Sequence, residues 1–282
     1  MSTATVSDPR NAGRSRSETF RQLHRTGCFV IPNPWDLGSA RLLVQLGFPA
    51  LATTSSGFAW SLGCPDNGIS LEQALAHFRS IAENVPVPVN GDFEGGFAVE
   101  PAEVANNVAL AATTGVAGLS IEDSTGDAGH PLYDFSLAVE RVRAARRALD
   151  ESGRDVLLTG RSEGFIVGKP DLSETIRRLE AFAEAGADCL YAPGLRTSKE
   201  IIAVVQAVAP KPVNVLVGGE PASVAELAAM GVRRVSVGGA LARAAWAGFL
   251  QAATELADLG TFASLARAVP FGVINQAFTP QI

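Results

Sequence analysis

Pro88-Val-Asn-Gly-Asp92, Pro101–Thr114 and Gly118-Leu-Ser-Ile-Glu122 form one strand–helix–strand unit in which each strand ends on a carboxylate. The two short runs are apolar without alternation, which suits strands covered on both faces of a parallel sheet. The segment between them opens on Pro101, whose fixed φ suits a first helical position, and stops before Gly115. The same unit recurs in both directions. Gly27–Pro32 and Ala50–Thr54 precede it, and Val156–Arg161, Cys189–Ala192, Val213–Val217 and Arg234–Val237 follow. Helices are predicted over Ser70–Glu83, with Ser70 as N-cap, and over Ser136–Asp150, Leu172–Ala185, Ser198–Val208 and Ala222–Ala229. Eight such alternations predict an α/β fold, a closed (β/α)8 TIM barrel in preference to an open doubly wound sheet.

The 282 residues are 47% hydrophobic and 7% aromatic, a composition that one α/β barrel accommodates. Residues 1–16 are rich in Ser, Thr and Arg and lack an apolar core, so they read as a disordered leader and not a signal peptide. Residues 17–282 read as a single catalytic barrel domain. The net charge of −6 without a Lys/Arg block argues against a nucleic-acid groove. Cys28, Cys64 and Cys189 are too few and too scattered for a disulfide framework or a zinc cluster, and read as small apolar residues in a reducing compartment. No stretch reaches the ~18 apolar residues that a membrane helix needs. A cytoplasmic location with no membrane partner is expected. Neither Gly-x-Gly-x-x-Gly after the first strand nor a Walker sequence is present, which removes support for nucleotide binding.

In such a barrel the working residues stand at the C-terminal ends of the strands. Asp92 and Glu122 end adjacent strands, and two carboxylates facing one cavity repel unless a proton or cation lies between them. With no His or Cys beside them, they suit a hard ion, Mg²⁺ or alternatively Mn²⁺, with waters and substrate completing its shell. The alternative is a helix cap or a surface ion pair. Arg161 ends strand five, where its fork could clamp a substrate carboxylate or instead form a structural ion pair with Glu122 or Glu163. Ser56 and Gly57 offer a hydroxyl and a backbone N–H to a carboxylate, and Asn90 and Asn214 are further candidates to bind substrate. Glu94 and Asp123 read as supporting or capping groups. Gly63, Pro65 and Gly68 make Phe58–Gly68 an irregular loop and a natural lid, in which Asp66 is either a catalytic proton carrier or a cap or turn residue. His130, in the loop after strand four, is the second candidate for proton transfer, whereas His24 and His77 read as structural or exposed. No Ser–His or Cys–His pair stands at the strand ends to support acyl transfer.

Together Ser56-Gly57, Leu62-Gly-Cys-Pro-Asp66, Val89-Asn-Gly-Asp92, Ile121-Glu-Asp123 and Thr159-Gly-Arg-Ser-Glu163 resemble the isocitrate lyase/phosphoenolpyruvate mutase superfamily, from about Ile31 to Phe278. The resemblance implies a phosphoenolpyruvate mutase-like barrel with a swapped C-terminal helix, giving a homodimer or homotetramer. The alanine-rich Leu241–Leu259 is the candidate for that helix. It implies Mg²⁺ on Asp92 and Glu122, carboxylate binding by Ser56 and Gly57, a substrate clamp at Arg161 and a mobile-loop role for Asp66. The sequence departs from the superfamily in two places. Asn90 replaces the first acid of the usual Asp-x-Asp, and Ser124–Tyr133 carries neither the catalytic cysteine of the lyase branch nor the gating motif of the mutase branch. The expected function is therefore a Mg²⁺-dependent carbon–carbon lyase of a small 2-oxo or 2-hydroxy (di)carboxylate acting through an enolate. The alternatives are P–C bond chemistry on a phosphonopyruvate-like substrate, and a barrel that binds a 2-oxo acid without turnover.

Overall fold

A computed structural model describes residues 15–217 and 223–279. In chain order it contains α1 (Arg16–Leu23), β1 (Phe29–Ile31), α2 (Leu37–Gln45), β2 (Leu51–Ala52), α3 (Ser55–Ser61), α4 (Leu71–Ala82) and β3 (Val89–Asp92). These are followed by α5 (Pro101–Ala112), β4 (Gly118–Glu122), α6 (Phe135–Glu151), β5 (Leu157–Arg161), α7 (Leu172–Glu184) and β6 (Cys189–Tyr191). The chain ends with α8 (Ser198–Ala207), β7 (Val213–Leu216), α9 (Val224–Ala229), β8 (Arg234–Ser236), α10 (Ala240–Leu259), a 3₁₀ turn (Ser264–Arg267) and α11 (Phe271–Phe278).

The eight strands are all parallel and adjacent in the order β1-β8-β7-β6-β5-β4-β3-β2. The remaining seam is bridged where the Ala52 N–H donates to the Pro32 carbonyl at 3.1 Å, so the sheet is a barrel nearly closed on itself. Helices cover its outside. Phe78, Ile81, Val104, Val108, Leu149, Leu179 and Phe182 pack against Leu119, Ile121, Leu158 and Leu190 in one continuous buried layer. Gly91 is required by this packing, because a Cβ there would sit 2.8 Å from the ring of Phe78. α1 plugs the N-terminal end of the barrel with the fully buried Phe20, next to Phe29, Ile31 and Leu157.

Ser70 does cap α4, in a reciprocal capping box with Gln73. Three expectations change. Residues 1–14 lie outside the described residues, but Ser15 caps α1 and Arg16 begins it, so the domain starts earlier than residue 17. Ala222 also lies outside them, and its helix begins at Val224 behind the cap Ser223. The segment after β2 is not irregular throughout. Thr54 caps the short helix α3, and only Leu62–Gly68 turns freely. His24 and His77 are both buried, at 7% exposure, the first as the C-cap of α1 and the second on α4. Among the described residues no helix is long and apolar enough to cross a membrane.

Candidate active site

The strand ends enclose a cavity of about 170 Å³ lined by Asp66, Asp92, Arg161, Asn90, Asn214 and Arg234, among others. This is smaller than the ~300–1,000 Å³ of drug-sized pockets. Such a space suits an acid of a few carbons and excludes a nucleotide.

Asp92 is held from β2 and α3. Its Oδ2 accepts the Ser55 N–H at 3.0 Å and the Ser55 hydroxyl at 2.9 Å. Its own N–H donates to Thr53 Oγ1 at 2.8 Å. Arg161 spans the adjacent strand ends, with Nη1 3.3 Å from Asp92 Oδ1 and 3.1 Å from Glu122 Oε2, while Nε pairs with Glu163. Its guanidinium also lies 5.2 Å from the centre of the Tyr191 ring. Asp92, Glu122 and Arg161 therefore do meet at one mouth. Arg161 takes the alternative left open for it, the ion pair with Glu122 and Glu163, extended to Asp92.

The surroundings of this cluster are fixed by two further arginines. Asp123 accepts the Glu163 N–H at 2.8 Å and pairs with the buried Arg178 at 3.2 Å. Arg141 donates to the carbonyls of Gly95, Ala98 and Val99 and stacks on Tyr133, with its guanidinium carbon 3.9 Å from the ring centre. Arg141 thus clamps the loop that carries Glu94, whose backbone sits in the left-handed region at φ 47°.

Negative charge exceeds positive here. Asp66, Asp92, Glu94, Glu122 and Glu163 share the field of Arg161. Burial works against the Arg161 cation, but Glu122, Glu163 and Asp92 override it and hold it well above its ordinary value. Burial pushes the Glu122 carboxyl well up, with Arg161 pulling against it. Burial and then Asp92 push Glu94 up to about 8. Flanking protein and then Asp92 raise Asp66, although one side of it remains open to solvent. Glu94 Oε1 is buried and has no hydrogen-bond partner. An orphaned carboxylate oxygen amid surplus negative charge fits a hard cation. Among the described residues no three His, Cys, Asp or Glu side chains surround a common point, so such an ion would take few side chains and complete its shell with water and substrate.

Ser56, Asn90, Asn214 and Asp66 line the cavity, as expected of them. Gly57 does not. Its N–H donates to Thr54 Oγ1 at 3.3 Å, and a Cβ there would lie 2.7 Å from Thr54 Cγ2, so this glycine serves packing. Asp66 does not cap α4, since Ser70 does. His130 lies outside the cavity. Its side chain is 90% exposed, 3.6 Å from Asp127, because the Ser124–Leu132 bridge folds the loop into a hairpin with His130 near its tip. Arg234 and Tyr191 line the cavity and were not singled out from the sequence. The signal for Arg234 was a charged residue heading an apolar run, the same kind of signal that marked Asn214.

A family model described as phosphoenolpyruvate phosphomutase matches residues 20–257. A crystal structure from Burkholderia cenocepacia J2315, assigned only provisionally as a lyase/mutase, superposes with a TM-score of 0.91 at 50% identity, covering 93% of this chain and 96% of the other. The crystal structure of 2,3-dimethylmalate lyase, a member of the PEP mutase/isocitrate lyase superfamily, superposes with a TM-score of 0.83 at 27% identity, covering 94% of each chain. An oxaloacetate decarboxylase of Paraburkholderia xenovorans strain LB400 is 31% identical over 223 residues, 76% of this chain and 71% of that protein. With its eight-stranded barrel and its acidic mouth, this chain belongs to the phosphoenolpyruvate mutase/isocitrate lyase superfamily.

Proposed function

We propose that the protein is a divalent-metal-dependent carbon–carbon lyase of a small 2-oxo or 2-hydroxy dicarboxylate, working through an enolate. The observation that carries this reading is the joint placement of Asp92 and Arg161 in the wall of a cavity sized for a short acid, with Glu122 paired to Arg161 behind them. The similarity to an oxaloacetate decarboxylase and to 2,3-dimethylmalate lyase, whose names describe carbon–carbon cleavage of such acids, supports it.

Asp92 and Glu122 would hold Mg²⁺ or Mn²⁺, which when bound supplies Lewis-acid stabilisation of the negative charge on the 2-oxo oxygen. Arg161 holds the carboxylates of Asp92, Glu122 and Glu163 together against their mutual repulsion. Ser56 orients the substrate from the wall, and Asn214 shapes that wall with its side chain bonded to Arg234 and Ser236. For a 2-oxo dicarboxylate the bond to the distal carboxylate breaks, carbon dioxide leaves, the bonding electrons pass into the enolate, and the proton on the Asp66 carboxyl moves to the enolate carbon. Burial and then Asp92 raise the Asp66 carboxyl above its ordinary range, which favours the protonated form that this step needs. The Leu62–Gly68 turn around it would shield the enolate from water by closing over the bound substrate.

The test is ¹H NMR of oxaloacetate, malate and alkylated malates incubated with the protein and Mg²⁺, beside ³¹P NMR of phosphonopyruvate. Cleavage products that EDTA removes and Mg²⁺ restores are expected from a dicarboxylate. Phosphorus turnover alone would replace this reading with P–C chemistry. Saturable binding without products would replace it with a binding protein.

We also propose that the chain assembles into a homodimer or homotetramer through α10. Only Ala242 of this helix is buried, and Trp246, Phe249, Leu250, Leu256 and Leu259 are exposed along it. α11 instead returns to its own α2, where Gln45 donates to the Ala277 carbonyl. An exposed row of large apolar side chains marks an interaction surface. Light scattering is expected to give at least twice the 29.3 kDa chain mass, and a value near 29.3 kDa would refute the assembly.

A further inference from the structure

Arg161 and Arg234 both line the cavity, and they differ in what neutralises them. Arg161 is surrounded by three carboxylates. Arg234 is only 3% exposed, and its guanidinium meets three groups that carry no charge. Nε donates to Asn214 Oδ1 at 2.9 Å, and Nη2 donates to Thr159 Oγ1 at 3.1 Å. Nη1 lies 3.3 Å from His24 Nε2. His24 Nδ1 faces the Phe20 carbonyl at 2.8 Å and so carries the ring hydrogen, leaving Nε2 as an acceptor. Burial and the neighbouring Arg234 hold this imidazole neutral, with its pKa driven down to about 3.

Among the described residues no carboxylate pairs with Arg234. A guanidinium has five N–H groups. Three are taken, which leaves one on each terminal nitrogen without a protein acceptor. A buried cation without a counter-ion is costly, and protein interiors keep one where a ligand or partner completes it. Arg234 heads β8 in register with Asn214, while Arg161 ends β5 in register with Glu122. The free positive charge therefore lies deeper in the barrel than the acidic mouth.

We propose that Arg234 is the anion-recognition group of this cavity, receiving the second carboxylate of a small dicarboxylate whose 2-oxo or 2-hydroxy end faces Asp92 and Glu122. This rests on the reading of the cavity as a 2-oxo or 2-hydroxy dicarboxylate site, and it adds the group that recognises the second carboxylate. It also separates two roles, with Arg161 organising the acids of the mouth and Arg234 selecting the substrate. Asn214 and Thr159 then act as positioning residues, because they fix the plane of the Arg234 guanidinium.

Matched acids that differ only in the second carboxylate test this directly. Malate is compared with 2-hydroxybutyrate, and oxaloacetate with 2-oxobutyrate, by calorimetry and thermal shift at saturating Mg²⁺. The wild type is expected to bind the dianion of each pair about tenfold or more tightly. Arg234→Gln is expected to weaken the dianion about tenfold or more and the monoanion less than about threefold, as loss of hydrogen bonds to a charged group predicts. Should Arg234→Gln fail to fold, Arg234→Lys keeps the charge but loses the fork, and a smaller loss confined to the dianion is expected. Equal weakening of both acids, or none, overturns the assignment of Arg234 while leaving the function standing. Failure of the wild type to bind any of the four acids overturns the functional reading, and this proposal with it.

Discussion

Arg161→Met is expected to abolish turnover and to lower the melting temperature by on the order of 10 °C at pH 8. Methionine roughly fills the space but leaves Asp92, Glu122 and Glu163 facing one another with no counter-ion. Removing one partner of a buried ion pair costs about 3–5 kcal/mol, and each kcal/mol is worth roughly 2–4 °C in a domain of this size class. The pH dependence has a definite sign. Without Arg161 the Glu122 and Glu163 carboxyls, which burial already pushes up, rise further. The folded state then binds more protons than the unfolded state above the ordinary carboxylate pKa, so stability falls as pH rises. The deficit of the variant should therefore be largest at pH 8 and shrink toward pH 5. A melting temperature equal to wild type at pH 8 would show that the cluster is not held by Arg161.

Asp66→Asn is expected to lower kcat by on the order of 10² or more, the range of a general acid–base contribution, with little change in melting temperature. The substitution is selective. Asp66 Oδ1 accepts the Asn67 N–H at 3.1 Å, and the amide oxygen of asparagine can keep that bond and the turn it supports. What is lost is the proton that the carboxyl carries. A fall in melting temperature with kcat near wild type would make Asp66 a turn residue. No second proton carrier from the sequence would then remain in the cavity, since His130 is turned out to solvent.

The barrel was legible in the sequence because its strands are largely buried on both faces and read as short runs between helical segments. All eight runs became strands in sequence order. Asp92, Glu122 and Arg161 were legible for the same reason, since a strand end in this fold points to the mouth. α3 was hidden, because seven residues containing a glycine give too little periodicity, and its start depends on the Thr54 side chain reaching Gly57 N. His130 misled because nearness to β4 along the chain is not nearness to the cavity once a hairpin carries the loop outward. The charge balance around the two arginines was not legible either. Arg161 meets Asp92 from 69 positions away, and Arg234 meets His24 from 210, so only the closed barrel reveals which cation is compensated.

A divalent cation held at the acidic mouth is seen most directly by magnesium titration calorimetry at pH 8. The pH matters because Glu94 sits at about 8 and protons compete with the metal below that value. The wild type is expected to bind one Mg²⁺ per chain, and Asp92→Ala and Glu122→Ala to bind it about tenfold or more weakly while melting as folded proteins. Isotherms for both variants that coincide with that of the wild type would contradict the account.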